Sequence, residues 1–428
     1  MDSGYILDIY TATPYIRLVG RLENGETFEC NCLYSPNRLY VRNSDINQIN
    51  KIKEISPTNL MTMDGESVSR AELEPGEIPK IIQDSNVSTY EADLNAGAKF
   101  QIDTGIRRQI RIRGKCSKGH FLDRVYQDPT ILENDDAMDF PKLRALSIDI
   151  ETSVGGEVTA ISCCGFWVGK GEESESVLAI GNKKSDATVT YYSDETALLR
   201  GFLSKIKSEN PDLLIGWNII EFDLRVLRDR FEACRVAFRL GRSRKRSWIQ
   251  ENGRWGQRAV VVHGRQVVDI MQVMWRHLNR LPDYRLDTVA RKVLGRGKLV
   301  AVDYEGLMRL SHEDQDLFLK YCLEDARLVR EIVEKEKVLD LAVRKSILTG
   351  LPISRADGNI AAFDLLYGLG LRKRGMVSPT LGVDRATRGR APGGIVLSSR
   401  PGIYENVWLF DFKSLYPSIM MTLNIDPL

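Results

Sequence analysis

The stretch LRALSIDIET at residues 143–152 decides the fold of this chain. Its apolar run predicts a buried β-strand that ends in Asp149-Ile150-Glu151. Because side chains alternate along a strand, residues 149 and 151 lie on the same face of the sheet. Two carboxylates side by side repel each other, and a divalent cation would neutralise them. The stretch therefore predicts a central strand and one edge of a metal site.

The segments around this strand predict an α/β fold. EVTAISCCGFWV (157–168), TVTYYS (188–193) and PDLLIGWN (211–218) are typical of strands. Ser193-Asp194-Glu195 is a cap signal for a helix, EFDLRVLRDRFEAC (221–234) predicts another, and a long helix is expected from Ser311 with a capping box formed by Ser311 and Asp314. Strands mixed with helices in this order favour helices packed on a sheet.

Residues 1 to about 140 predict a β-rich region, with strands expected in FECNCLYSPNRLYVR (28–42), YEADL (90–94) and KFQIDTG (99–105). At 428 residues the chain is long enough for two or three domains. It has no run of about 18 apolar residues and no basic-then-apolar start, so we expect no membrane span and no secretion signal. Seven cysteines without a CxxC pair predict reduced, mostly buried thiols in a cytoplasmic protein.

Three segments carry further groups that suit a site with Asp149 and Glu151. GWNIIEFD supplies Asn218 and Asp223 where a strand passes into a helix. YCLED supplies Tyr321 and Asp325, which share one helix face because they are four residues apart. Each segment alone is a common pattern, but their order and placement are more specific.

Four acids and a tyrosine indicate metal-assisted hydrolysis of a phosphodiester. Two Mg²⁺ or Mn²⁺ ions about 3.5–4 Å apart would hold the attacking and leaving oxygens. Oxygen ligands favour Mg²⁺ over zinc. Since a tyrosine has an ordinary pKa of about 10, Tyr321 is expected to orient the attacking water as a hydrogen-bond partner, not as a full base.

A basic stretch between Arg235 and Arg265 has two interpretations. It contains nine basic residues and one acid, Glu251, together with Trp248 and Trp255. It is either a solvated loop or a surface that meets phosphates, with the tryptophans stacking on bases or anchoring the loop.

The acidic segments resemble the three exonuclease motifs of family B DNA polymerases. Tyr321, four residues before Asp325, is similar to the tyrosine subtype of the DEDD exonucleases. DFKSLYPSI, starting at Asp411, resembles the first catalytic motif of the polymerase site, and Pro392-Gly393-Gly394 resembles the linker motif, although Ala391 and Pro392 replace its usual tyrosine pattern. IGWNIIEFDLRVL and APGGIVLSSRPGIYENV are most similar to bacterial members.

The resemblance implies a domain order. Residues 1–140 would form a β-rich N-terminal domain, joined by about 340–385, and residues 141–339 a ribonuclease-H-like 3′–5′ exonuclease domain. Residues 386–428 would be a linker and the start of the polymerase palm. The implied partners are primer-template DNA and single-stranded 3′ ends, in the cytoplasm or at the nucleoid of a bacterium.

The resemblance also implies a role for each site residue. The metal-binding acids of the exonuclease would be Asp149, Glu151, Asp223 and Asp325, with Tyr321 as the helper and Asn218 and Phe222 holding the frayed primer end. Asp411 would bind both metals of nucleotidyl transfer. Tyr416 would pack under the incoming sugar, and the backbone around Ser414 and Leu415 would hold the triphosphate, with Pro417 in the first turn of a helix.

The polymerase half of the pattern is incomplete here. No second polymerase motif of the YxDTDS type follows Asp411, so we expect the palm site to need a further polypeptide segment before it uses a dNTP. VWLFDF (407–412) is expected to be a palm strand with a sticky apolar edge. Two alternatives remain open. The chain could be a non-catalytic half of a split polymerase that binds DNA or a partner, or a stand-alone 3′–5′ nuclease.

Overall fold

The computed structural model describes residues 1–49, 52–83, 87–134, 140–169, 173–251, 258–278, 281–299, 304–383, 394–395 and 397–425. Within these residues the chain forms two compact units. Unit 1 comprises Met1–Asn37 and Leu94–Arg374, and unit 2 comprises Arg38–Asp93 and Gly375–Leu428. Trp255 and the Pro392-Gly393 pair of the expected linker motif lie outside the described residues.

The secondary structure is numbered along the chain. The strands are β1 (Asp2–Ala12), β2 (Tyr15–Leu22), β3 (Thr27–Leu33), β4 (Arg38–Arg42), β5 (Ile52–Met61), β6 (Ser67–Leu73), β7 (Thr89–Tyr90), β8 (Gln109–Arg113), β9 (Cys116–Ser117), β10 (Arg124–Gln127), β11 (Thr130–Glu133), β12 (Arg144–Thr152), β13 (Val158–Trp167), β14 (Glu173–Ile180), β15 (Val189–Tyr192), β16 (Leu213–Gly216), β17 (Trp248–Gln250), β18 (Ala259–Val261) and β19 (Gln266–Asp269). The α-helices are α1 (Ile78–Gln83), α2 (Ala96–Thr104), α3 (Glu195–Glu209), α4 (Asp223–Ala233), α5 (Ile270–His277), α6 (Leu286–Leu294), α7 (Tyr304–Glu313), α8 (Gln315–Glu336), α9 (Val338–Thr349), α10 (Asn359–Lys373) and α11 (Leu415–Leu423).

The N-terminal residues are rich in strands, as the sequence predicts. Unit 1 contains a seven-stranded sheet in the order β11-β8-β1-β2-β3-β10-β9, and unit 2 contains a four-stranded sheet in the order β5-β6-β4-β7. FECNCLYSPNRLYVR forms β3 and β4, which belong to these two different sheets. In unit 1, α10 packs against α2 through a small core that includes Ile102, Leu365 and Leu369.

One N-terminal prediction is wrong, because KFQIDTG belongs to helix α2 and not to a strand. The side chain of Asn95 accepts a hydrogen bond from the backbone N–H of Ala98 and starts the helix. Gly105 ends it with a φ of 71°, a left-handed conformation that glycine adopts without strain. YEADL is likewise not a strand beyond Tyr90, where β7 ends.

Strand β12, which carries Asp149 and Glu151, lies inside a six-stranded sheet of unit 1. The order is β15-β14-β13-β12-β16-β19, with β12 antiparallel to β13 and parallel to β16, and with β16 parallel to β19. Ser147 pairs with Ile215, and Gly216 pairs with Asp269. The carboxyl ends of three neighbouring parallel strands therefore meet at one edge of the sheet, and this edge carries the predicted acids.

Helices cover both faces of this sheet, so the predicted α/β fold is confirmed. Leu146, Ile148 and Ile150 of β12 pack in one core with α3 and α4. Ala145, on the opposite face of the strand, packs in a second core with α6, α8 and α9. Because Asp149 and Glu151 have the same parity as Ala145, their side chains face α8. The mixed sheet between two helical layers agrees with the expected ribonuclease-H-like architecture.

The long helix expected from Ser311 is interrupted. Residue 311 lies near the end of α7, and α8 begins separately after Asp314, whose side chain accepts a hydrogen bond from the backbone N–H of Leu317 at 3.0 Å. Asp314 is therefore an N-cap itself and not the third residue of a capping box that starts at Ser311. Because of the break, α8 can take an orientation independent of α7, and the orientation of α8 determines where Tyr321 and Asp325 point.

VWLFDF does not form the expected strand. Residues 407–412 have no strand partner among the described residues, and their apolar side chains are exposed, with Leu409 96% accessible. A strand needs a hydrogen-bonding neighbour to satisfy its backbone, and an apolar sequence alone does not supply one. Helix α11 follows this segment with Pro417 in its first turn, as expected.

A buried ion cluster joins the two sheets of unit 1. Asp212, which immediately precedes β16, is fully buried and lies 2.6 Å from Arg21 Nε of β2 and 2.8 Å from Arg242 Nη2. Burial alone would raise the pKa of Asp212, but the two guanidinium groups hold it below its ordinary value. The backbone N–H of Arg144 donates to the same carboxylate, so the starts of β12 and β16 share this anchor.

Two further properties of the described residues are the apolar character of the helices and the state of the cysteines. Among the described helices, none combines the length and the apolar character that a bilayer crossing requires. The seven cysteines are unpaired thiols, and five of them are buried, in agreement with the predicted reduced and mostly buried state.

Replacing Asp212 by asparagine should strongly destabilise unit 1. The change removes the carboxylate charge that pairs with two buried guanidinium groups, and loss of one partner of a buried ion pair costs about 3–5 kcal/mol. Urea unfolding followed by tryptophan fluorescence measures the effect. Asp229→Asn is the matched control, because Asp229 pairs with Arg228 on the surface and should change the unfolding free energy by less than about 1 kcal/mol. Equal effects of the two variants would contradict this account.

Candidate metal centre

Three of the predicted acids converge at the edge of the six-stranded sheet. Asp149 and Glu151 come from the end of β12, and Asp325 comes from the middle of α8, which packs across that strand. One carboxylate oxygen from each residue lies within 4.8 Å of the other two. The strand alternation and the helix spacing used on the sequence therefore bring these three acids together.

The fourth acid, Asp223, is the first residue of α4 and is buried. Its Oδ1 accepts a hydrogen bond from the backbone N–H of Ile150 at 3.2 Å, so it is tied to the residue between Asp149 and Glu151. Its charge contributes to the raised pKa of Asp149. The four predicted carboxylates therefore lie near one another, with Asp223 and Asp325 buried and Asp149 and Glu151 half-buried.

Burial and mutual repulsion raise the pKa of every acid in the cluster. The pKa of Glu151 rises to about 7, because the side chain is buried and because Asp325 is nearby. The pKa of Asp223 rises to about 8, first through burial and then through the charges of Asp269 and Glu151. Burial and the neighbouring acids raise the pKa of Asp149 well above its ordinary range. Carboxyl groups in this state hold protons near neutral pH unless a cation takes their place.

Lys298 is a member of the site that sequence reasoning did not find. Its Nζ donates to Asp325 Oδ2 at 2.5 Å and to Tyr321 Oη at 3.1 Å. The ammonium group is the positive charge nearest to the four acids, and the charge of Asp325 raises the pKa of Lys298 despite its burial. In the sequence, Gly295-Arg296-Gly297-Lys298 resembles an ordinary basic turn, and nothing in its spacing connects it with Asp325.

Tyr321 lies one helical turn before Asp325, with its hydroxyl oxygen accepting from Lys298. Burial, followed by the charge of Asp325, raises the pKa of Tyr321. Tyr321 is therefore protonated at neutral pH, and its hydroxyl hydrogen is available for donation. This geometry supports the predicted role as a hydrogen-bond partner and not as a base.

A loop after β16 carries the two residues expected to hold the DNA end. Asn218 adopts a left-handed conformation with a φ of 60°, and Phe222 is 47% exposed directly before α4. Asp269, at the end of β19, accepts from the backbone N–H of Asn218 at 3.2 Å and that of Ile220 at 3.5 Å. Asp269 was not identified from the sequence. The signal that could have found it is an aspartate that ends the strand QVVD and caps the next helix.

The polymerase-like motif lies in unit 2 and is exposed throughout. Asp411, Ser414, Leu415 and Tyr416 are all accessible, and Tyr416 is 76% exposed. Ser414 has a left-handed φ of 51° and precedes α11. Their predicted roles in binding metals and a nucleotide remain predictions.

The basic stretch between Arg235 and Arg265 is not a single surface. Arg242 and Arg265 are buried and donate to backbone carbonyl groups such as those of Gly264 and Leu240. Arg258 pairs with Glu221 and Glu251. The surface interpretation is therefore wrong for the two buried arginines, whose guanidinium groups stabilise the fold through these hydrogen bonds.

Other side chains of the stretch remain accessible. Arg244, Lys245 and Arg246 are exposed, and Trp248 is 44% exposed with its edge against His263. This shorter segment remains a candidate for contact with phosphates.

The donor set fits hard divalent cations. The four acids offer only carboxylate oxygens, which Mg²⁺ and Mn²⁺ prefer. Asp325 Oδ1 is buried and has no hydrogen-bond partner, so it is available as a ligand. Burial first, and the neighbouring acids second, raise the pKa values of Asp149 and Glu151, so a bound cation would stabilise their ionised forms.

Comparison with known proteins identifies the family. Residues 87–289 match the family model for the exonuclease domain of DNA polymerase family B, and residues 362–427 match the model for DNA polymerase family B. The two matches together cover more than half of the chain. The chain belongs to the family B DNA polymerases.

Relatives of this family B polymerase chain include bacterial and archaeal enzymes. It is 30% identical to DNA polymerase II of Escherichia coli over 358 residues, which are 81% of this chain and 44% of the relative. It is 27% identical to a DNA polymerase of Thermococcus sp. (strain 9oN-7), over all of this chain and 54% of the relative. The chain therefore spans about half the length of these two relatives.

A solved structure shares the fold of this family B polymerase chain. The family B DNA polymerase of the archaeon Pyrobaculum calidifontis matches 99% of this chain and 57% of its own, with a TM-score of 0.71 and 21% identity. The resemblance to the family that the sequence indicates is confirmed by these comparisons.

The metal-free stability of this family B polymerase chain should fall as pH rises. A carboxyl with a raised pKa in the folded protein contributes stability only while protonated, and this contribution is lost as pH rises through the folded pKa. With Glu151 raised from 4.5 to about 7 and Asp223 from 3.8 to about 8, the melting temperature in EDTA should fall between about pH 4 and about pH 8. Mg²⁺ should reverse the fall at pH 8, because it binds the ionised acids.

Differential scanning fluorimetry at several pH values measures this dependence. Glu151→Gln removes one of the repelling charges, so its melting temperature in EDTA should vary less with pH than that of the wild type. A flat wild-type profile, or an equally steep profile for Glu151→Gln, would show that the cluster is not strained by its charges.

Proposed function

We propose that unit 1 is a 3′–5′ exonuclease that removes nucleotides from single-stranded DNA ends in the presence of divalent cations. The observation that carries this proposal is the convergence of Asp149, Glu151 and Asp325 beside the buried Asp223, with an unpartnered oxygen of Asp325 among them. A fold needs no such cluster for stability, because unpaired buried acids are costly. The family supplies the direction of cleavage and the DNA substrate as further support.

Asp149, Glu151, Asp223 and Asp325 would hold two Mg²⁺ or Mn²⁺ ions. When bound, these ions supply charge neutralisation and Lewis-acid assistance at the scissile phosphate. The geometry of the chain's own residues suggests the remaining parts. The Tyr321 hydroxyl, fixed by Lys298, donates a hydrogen bond that orients the attacking water. Lys298 adds a positive charge beside the developing negative charge of the phosphate.

The DNA end would be held at the loop before α4. Phe222 offers an exposed ring at the rim of the site, on which a terminal base can stack. Asn218 offers an amide to the sugar or base, and Asp269 holds the backbone of that loop in place. Recognition of this kind favours a frayed or single-stranded end, because an unpaired base can leave its neighbours and turn toward a protein ring.

A second function is favoured by the match of residues 362–427 to the family model of the polymerase. We propose that Asp411, Ser414, Leu415 and Tyr416 belong to a nucleotidyl-transfer site that uses a dNTP and primer-template DNA once other palm elements pack on residues 407–423. The exposure of Trp408, Leu409 and Phe410 supports such packing. In this proposal the N-terminal domain comprises 1–140 with about 340–385, the exonuclease domain comprises 141–339, and the linker with the start of the palm comprises 386–428. The protein would act on DNA in the cytoplasm or at the nucleoid.

Alanine at both Asp149 and Glu151 should abolish trimming of a 5′-labelled single strand in Mg²⁺. We expect a loss of at least about a thousandfold in rate, because the ions lose two of four ligands. DNA affinity, measured by fluorescence anisotropy in Ca²⁺, should stay within about threefold. Asp229→Asn, an exposed acid on α4, is the matched control and should trim normally.

Several results would contradict the proposal. Trimming by the double variant at the wild-type rate would exclude this site. Failure of the wild-type chain to shorten any strand would favour the non-catalytic DNA-binding or partner-binding half. Faster trimming of RNA than of DNA would favour the stand-alone nuclease.

Tyr321→Phe should lower the trimming rate by about ten- to a hundredfold with little change in the KM for DNA. The ring remains in place, but the hydroxyl that orients the water is lost, and one positioned hydrogen-bond donor contributes about this much to a reaction rate. Single-turnover kinetics with a labelled oligonucleotide separate the chemical step from binding. A change in KM alone would assign the hydroxyl to DNA binding instead.

A further inference from the structure

We propose that Asp287 is a positioning residue for the exonuclease site, holding the loop at 295–299 so that Lys298 reaches Asp325 and Tyr321. This inference rests on the proposed exonuclease function and extends it to a residue outside the carboxylate cluster. Asp287 lies in the first turn of α6 and contacts neither the four acids nor Tyr321 through a hydrogen bond described here. Its charge also acts on Asp325 through space. Both Asp287→Ala and Asp287→Asn remove that charge, so a difference between the two variants isolates the contact with the loop.

The carboxylate of Asp287 accepts two hydrogen bonds, one from a residue of its own helix and one from the backbone of the loop. Its Oδ2 accepts from Arg291 Nε at 2.8 Å, an ordinary pair between residues four apart on one helix. Its Oδ1 accepts from the backbone N–H of Lys298 at 2.8 Å, across eleven residues. The second contact fixes the main chain at the residue whose side chain enters the site.

The loop fits closely over Asp287 because of a glycine. A Cβ atom at Gly297 would lie 2.1 Å from Asp287 Oδ1 and 2.9 Å from Arg291 Nε, distances that no real side chain allows. Gly297 therefore lets the backbone approach the carboxylate and present the next N–H to it. Gly295 ends α6 with a φ of 78°, which turns the chain back over the helix.

The other side of the loop is tied to α8. Arg296 pairs with Glu324 and, at 2.6 Å, with Glu331. Glu324 is buried, precedes Asp325 directly and also accepts from Arg327 at 2.7 Å. The loop is thus held by Asp287 on α6 and by two acids on α8, with Lys298 between these anchors.

A purely structural role for Asp287 makes a different prediction. An acid in the first turn of a helix stabilises that helix through its dipole and through pairing with Arg291. Such a role would be lost in Asp287→Asn, which removes the charge. The positioning role would survive in Asp287→Asn, because an amide oxygen still accepts from the Lys298 N–H.

The decisive experiment compares Asp287→Ala, Asp287→Asn and Arg291→Ala in the full chain. For trimming of a single-stranded oligonucleotide, Asp287→Ala should lower kcat by about tenfold or more with KM unchanged within about twofold, since small misplacements of catalytic groups cost this much. Asp287→Asn should stay within about threefold of the wild type, and Arg291→Ala within about twofold. Equal losses in Asp287→Ala and Asp287→Asn would overturn the inference.

A double variant tests whether Asp287 acts through Lys298. If it does, adding Asp287→Ala to Lys298→Ala should lower kcat no further than Lys298→Ala alone. If Asp287→Ala lowers kcat by its full factor in both backgrounds, the residue acts on the fold and the proposal is wrong.

A binding measurement without DNA separates this inference from the exonuclease proposal. The Lys298 ammonium group competes with a cation for Asp325, so releasing it in Asp287→Ala should tighten Mn²⁺ binding several-fold by calorimetry. Asp287→Asn should not tighten it, and Asp287→Ala should have no effect in the Lys298→Ala background. Absence of trimming by the wild type would refute the exonuclease proposal alone. Identical Mn²⁺ affinities in all variants, or no Mn²⁺ binding by any of them, would overturn the inference about Asp287.

Discussion

The repulsion among four neighbouring, largely desolvated carboxylates is the constraint on which the rest of unit 1 depends. Left to itself, such a group would move apart or take up protons, as the raised pKa values of Glu151 and Asp223 show. The acids stay together because rigid elements carry them: β12 carries Asp149 and Glu151, α4 carries Asp223 and α8 carries Asp325. Asp223 is tied to the backbone of β12, and Asp325 is tied to Lys298. The hydrophobic cores on both faces of the sheet offset the free-energy cost of holding these acids close together.

The parts of the fold that follow from local patterns were predictable from the sequence. Strand β12, helices α3 and α4, and the shared face of Asp149 and Glu151 follow from apolar periodicity, and the structure has them. Strand β14, ESESVLAI, was not identified, because its first half alternates serine and glutamate and only its second half is apolar. Helix α2 was mistaken for a strand, although Asn95 and Gly105 carry the signals of its two ends.

The members of the site that sequence reasoning missed act through tertiary contacts. Lys298 is 27 residues from Asp325 along the chain, and Asp269 acts on a loop about 50 residues before it. No periodicity connects such positions, because the sheet and α8 bring them together only after folding. The same reason explains the arginines of the basic stretch. Charge counted along the sequence predicts a surface, but Arg242 and Arg265 are buried among carbonyl groups.

The ion cluster at Asp212 has a consequence for how the molecule can be divided. Arg21 belongs to the seven-stranded sheet, while Asp212 begins β16 of the nuclease sheet, and Tyr5 and Leu7 of β1 share a core with α9. The two sheets of unit 1 therefore share one hydrophobic core and one buried ion cluster. An excised fragment that started at residue 141 would retain all four acids of the metal centre but would expose this core and leave Asp212 with one arginine. A cut at residue 141 would therefore separate two sheets that hold each other in place.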